Sequence, residues 1–113
     1  KELEPFTLKA IEYLGEWLRQ RNVEFSYKLV ASDFVLGQAD CLKDEKTLFQ
    51  KPIKTFDIII SNPPYFKLSI DDKRAIAAKA VVNGHPNIYS VFMAISAKLL
   101  RENGQLIFIT PRS

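Results

Sequence analysis

The chain of 113 residues has one cysteine, Cys41, and one histidine, His85. A lone cysteine excludes an internal disulfide framework, and with a single histidine it leaves no Cys/His zinc site. No metal is expected. The four glycines form no G-x-G, so no glycine-rich loop of that kind is present. No apolar run approaches the length of a membrane span, and no secretory signal is visible. Like charges form no block, and the chain has no repeat or low-complexity tract. The net charge of +3 is compatible with a nucleic-acid partner without arguing for one.

Hydrophobic residues make up 47% of the chain, enough for the core of one small domain. Leu8, Ile11, Leu14 and Leu18 recur at helical steps after Pro5, which suits a first helical turn. The helix is expected to end around Arg19-Gln20-Arg21-Asn22. Residues 23–30 are rich in β-formers that partly alternate (Val23, Phe25, Tyr27, Leu29), so they predict a strand ending near Asp33-Phe34. Residues 35–54 give no clear pattern beyond a short helix over 38–42. Residues 56–60, FDIII, are nearly all apolar, the pattern of a parallel strand covered on both faces. A short helix is expected over 72–82. A longer one is marked by Ile88, Val91, Phe92, Ile95 and Leu99 and stopped by Asn103-Gly104. Residues 106–109 predict a last strand, closed by Pro111. Helix and strand alternate, so the class is α/β with a parallel sheet. Trp17, Phe92 and Met93 are expected to pack, and Cys41 to be inert.

The strand over 56–60 runs into Ser61-Asn62-Pro63-Pro64-Tyr65. Neither proline donates to a ladder. Each also bars the preceding residue from the α region, so the corner is stiff and extended. It presents two acceptors, the Asn62 amide oxygen and the Pro63 carbonyl. These suit one planar –NH2 group, which has two N–H donors, and Tyr65 adds an aromatic face. In open parallel sheets, ligands bind beyond the carboxyl ends of the strands, where this corner lies. Two hydrogen bonds from a conjugated amine favour a more pyramidal nitrogen and stabilise positive charge developing on it. Placement in line with an electrophilic methyl supplies the rest. The plain alternative is a Pro-Pro turn with Asn62 capping a loop.

With these residues in view, the sequence resembles the N6-adenine DNA methyltransferases. Residues 56–65 resemble their catalytic strand and motif. Asn87-Ile88-Tyr89-Ser90-Val91-Phe92 and residues 99–111 resemble the helix and strand that follow, in the manner of the large methylases of type I and fused type II restriction–modification systems. The resemblance implies a segment of a class I, Rossmann-like methyltransferase fold with a mostly parallel sheet and flanking helices. It implies S-adenosylmethionine as cofactor, double-stranded DNA with a flipped adenine as substrate, and a cytoplasmic location. Asn62, Pro63, Pro64 and Tyr65 would form the catalytic corner, with Tyr65 stacked on the flipped base. Glu2 would hold the cofactor ribose, with Glu4 as its neighbouring alternative. Asp33 would accept from the cofactor's adenine amino group, with Asp40 as a rival, and Phe34 would pack on that ring. Solvated loop carboxylates or helix caps are the ordinary alternatives for these acids.

Against the family pattern, the first strand, its glycine-rich loop and a DNA-recognition domain are missing. Residues 1–113 are therefore expected to be one segment of a catalytic domain, from the end of the second strand through the fifth. The remainder of the parent polypeptide is then a partner, and the segment alone is expected neither to bind the cofactor tightly nor to methylate DNA. Two other readings stand beside this one. The corner also fits enzymes that methylate a release-factor glutamine or an RNA exocyclic amine, or the segment is an inert interaction module. Lys67, Lys73, Arg74, Lys79 and His85 are read as a solvated face, with phosphate contact as the alternative.

Overall fold

The computed structural model describes residues 4–42, 54–82 and 85–110. Glu2 and Pro111 lie outside the described residues. The chain divides into two compact units, residues 1–32 and 33–113.

The first unit is built on helix α1 (Glu4–Arg19). Leu8, Ile11 and Leu18 form its half-buried stripe, as the spacing predicts, whereas Leu14 of the same pattern is 45% exposed. Two bonds close its end: Val23 N–H donates to the Leu18 carbonyl at 3.1 Å, and Asn22 N–H to that of Arg19 at 3.0 Å. That pairing requires a left-handed residue between, and Asn22 supplies it with φ 58°. Trp17 is 45% exposed rather than packed in a core. The Arg21 guanidinium covers its ring at 3.7 Å and donates to its carbonyl at 3.0 Å.

The strand expected over residues 23–30 does not form. The alternation survives locally, because the Phe25 and Tyr27 rings stack at 6.1 Å. No neighbouring strand receives the backbone among the described residues, and β-propensity without a ladder does not make a strand. Phe25 instead lies against α1 at Gly15, where an added Cβ would sit 2.9 Å from the ring.

The second unit begins with helix α2 (Phe34–Gln38), a 3-10 turn (Ala39–Leu42) and strand β1 (Phe56–Ser61). Helix α3 (Lys73–Ala77), helix α4 (Ile88–Leu99) and strand β2 (Leu100–Phe108) follow. The helix expected over 72–82 is shorter than predicted, with Asp72 as its N-cap. Asn87 caps α4 by accepting from Tyr89 N–H at 3.3 Å. Ile88, Val91, Ile95 and Leu99 line the buried face of α4. They pack with Val35, Leu42, Leu68 and Ala78 into the core of this unit.

Strands β1 and β2 pair in parallel, from Ile58 opposite Gln105 to Ser61 opposite Phe108. A parallel pair needs a long crossover, and α3 and α4 lie within it. The α/β class and the parallel pairing are as predicted, but two details differ. Helix α4 stops at Leu99, before Asn103-Gly104, because the chain enters the ladder early: Leu100 already pairs with Phe56. Residues 101–104 then bulge opposite Asp57. Asn103 takes φ 61°, and a Cβ on Gly104 would meet Leu100 at 2.8 Å. Arg101 Nε spans the bulge to Asp57 Oδ1 at 2.5 Å. Second, β1 is not covered on both faces. Ile59 packs on the core, whereas Ile58 and Ile60 are 56% and 72% exposed.

Candidate functional site

The last rung of the ladder joins the Ser61 carbonyl to Ile109 N–H at 3.0 Å. The corner starts there, at the carboxyl ends of both strands. Pro63 is fully buried, while Asn62 and Pro64 are exposed. A rigid ring set in the protein interior thus carries an amide at the surface.

Tyr65 is 43% exposed. Its hydroxyl lies within reach of two acceptors, Asn62 Oδ1 at 3.3 Å and the nearer Ile109 carbonyl. One O–H proton serves one acceptor at a time. With it on Ile109, the Asn62 oxygen keeps both lone pairs. The Tyr65 ring also faces Tyr89, with centroids 6.4 Å apart and planes tilted by 54°. The following segment is held to the start of α4. Ile88 N–H donates to the Phe66 carbonyl and Leu68 N–H to that of Pro86, each at 2.9 Å.

Asp33 stands at a helix N-cap, not at a strand end as predicted. Its Oδ1 accepts from Leu36 N–H at 3.0 Å. The Phe34 ring packs on Phe92, centroids 4.7 Å apart. Asp40 is exposed in the 3-10 turn, between buried Ala39 and Cys41. Burial pushes the Cys41 thiol up from its ordinary range, which suits an inert cysteine. Met93 is 38% exposed and packs less than expected. Among the described residues, no group of three His, Cys, Asp or Glu is arranged to hold a metal ion. No described helix is long and apolar enough to cross a membrane.

Lys67, Lys73, Lys79 and His85 are exposed, as a solvated face requires. Arg74 departs from that reading. Its Nε and Nη2 donate to the two Asp72 oxygens at 2.9 and 2.6 Å. The hydrogen bonds from the Arg74 side chain, and then from its backbone, hold the Asp72 carboxyl at about 2, below its ordinary 3.8. A depressed folded value stabilises above the unfolded one, and the contribution is lost as pH falls through the folded value. Asp72→Asn is therefore expected to flatten the acid limb of stability between about pH 4 and about pH 2. Urea midpoints measured across that window check it. Sequence alone assigns no site role to Asp72, Tyr89 or the Ile109 carbonyl, and gives Arg74 only a solvated face or a phosphate contact. Only the Asp72-x-Arg74 spacing at a helix start gave a local signal.

The family model described as Eco57I restriction-modification methylase matches residues 9–113. Among curated proteins, the chain is similar to the type II methyltransferase M.BsuBI of Bacillus subtilis. The two are 31% identical over 112 residues, covering 98% of this chain and 21% of that protein. It is also 33% identical over 93 residues to the type II methyltransferase M.PstI of Providencia stuartii, covering 81% of this chain and 17% of that protein. The chain thus spans about a fifth of the length of these relatives. No solved structure matches it.

Proposed function

The chain belongs to the Eco57I restriction-modification methylase family, and from that premise we propose that it is part of a site-specific DNA methyltransferase. The proposed reaction moves a methyl group from S-adenosylmethionine to the N6 amino group of an adenine flipped out of the duplex. The observation that carries this reading is the corner, where exposed Asn62 is joined to fully buried Pro63 beside half-exposed Tyr65. Relatives named as type II methyltransferases favour DNA over a release factor or RNA as acceptor.

In this reading, Asn62 Oδ1 and the Pro63 carbonyl accept the two N–H groups of the target amine. They draw its lone pair out of conjugation and stabilise the charge that develops on nitrogen. Tyr65 stacks on the flipped ring. No strong base is needed at the outset, because the nitrogen becomes acidic only once alkylated. Asp33 and Phe34 fit the purine end of the cofactor. A carboxylate with unused lone pairs stands next to a half-buried ring, which suits an amino-bearing aromatic. When bound, the cofactor supplies a methyl group on positively charged sulfur. Glu2 keeps its proposed ribose role, and the remaining cofactor contacts are assigned to the rest of a longer polypeptide. The proposed location is the cytoplasm, which is where DNA lies in bacteria such as the sources of its relatives.

The test is methyl transfer from labelled S-adenosylmethionine by the full-length enzyme, with DNA, RNA and release factor offered in parallel. Label on adenine N6 of DNA is expected. Label confined to RNA or to a glutamine would move the assignment to that acceptor.

A further inference from the structure

Besides the shared core, one polar side chain from beyond the corner reaches the start of the second unit. Arg74 is the second residue of α3. Two of its guanidinium nitrogens are spent on Asp72, and its backbone N–H donates to the same carboxylate at 2.8 Å. The side chain is thus fixed from both ends, and the plane of its fork is set. The remaining nitrogen, Nη1, lies 4.0 Å from Asp33 Oδ2. The guanidinium carbon lies 5.4 Å from the centre of the Phe66 ring. Asp33 Oδ1 is thus held by the Leu36 N–H, while Oδ2 faces the Arg74 guanidinium at ion-pair distance and keeps its lone pairs. Phe66 directly follows Tyr65, and its carbonyl is bonded to Ile88.

We propose that Arg74 is a positioning residue that fixes the Asp33 carboxylate relative to the corner and so sets affinity for the adenosine end of the cofactor. This rests on the methyltransferase reading above. The half-exposed Asp33 pair alone is weak, because solvent screens it. What makes it effective is preorganisation: Asp72 holds the fork in place, so no side-chain freedom remains to be lost when Asp33 is engaged. A lysine cannot reproduce this, since one ammonium lacks the planar fork that serves two carboxylates and a ring at once.

A double-mutant cycle in the full-length enzyme tests the idea, with S-adenosylmethionine affinity measured by calorimetry and folding checked by thermal melts. Arg74→Gln is expected to weaken cofactor binding about five- to tenfold, and to have less than about a twofold effect once Asp33→Asn is present. Arg74→Lys keeps a cation beside Asp72 to protect folding, and is expected to lose nearly as much affinity as Arg74→Gln. Equal losses from Arg74→Gln in both backgrounds would show that it does not act through Asp33. Unchanged affinity in Arg74→Gln and Arg74→Lys, with Asp33→Asn still weakened, overturns the proposal and leaves the cofactor assignment standing. If Asp33→Asn itself binds normally, the cofactor assignment fails and takes this role of Arg74 with it.

Discussion

Asn62→Ala is expected to lower methyl transfer by the full-length enzyme about 10²–10³-fold, the loss typical of removing one preorganised dipole from a developing charge. The side chain is exposed, so its truncation leaves no cavity. Alanine before Pro63 meets the same backbone restriction as asparagine does. Stability should therefore stay within about 0.5 kcal/mol. Single-turnover transfer of labelled methyl to DNA, paired with a thermal melt, separates chemistry from folding. Asn62→Asp retains an acceptor and should fall between the two. Transfer by Asn62→Ala within threefold of wild type would remove this amide from the site.

The second large effect is on stability. Ile95 is 0% exposed on the buried face of α4, one turn from Val91 and Leu99. Truncation to alanine removes buried methyl groups and leaves a cavity, at a cost of about 2–5 kcal/mol. Ile76→Ala is the control, because Ile76 is 59% exposed and should change stability by less than about 0.5 kcal/mol. Urea midpoints of the two variants make the comparison. A small loss at Ile95 would mean that the core is not organised around α4. The consequence reaches the corner, since the first turn of α4 bonds Phe66 and presents Tyr89 to Tyr65.

Helices α1 and α4 were legible because their apolar residues recur at three- and four-residue steps, a local property. The β1 run and the corner were legible because they are local too, one a contiguous apolar stretch and the other a Pro-Pro pair. Residues 23–30 were not, because a strand is a relation between two segments and the β-formers there found no ladder. The burial of β1 was misjudged on similar grounds. FDIII signals a strand suited to two cover layers, and cannot say whether cover is present. Asp33 was singled out by resemblance, but its geometry as a cap depends on where α2 begins. The Tyr65 hydroxyl and the Ile109 carbonyl are 44 positions apart. No short pattern announces such a contact, and the same holds for Arg74 with Asp33.

The open faces of Ile58, Ile60 and Ile107 bear on how this stretch behaves during synthesis. A two-stranded ladder with an apolar face leaves strand edges on which other chains can add. Ile58-Ile59-Ile60 has high β-propensity, and the nearest charge, on Asp57, is engaged by Arg101. Self-association is therefore the default fate of the stretch while it stands uncovered.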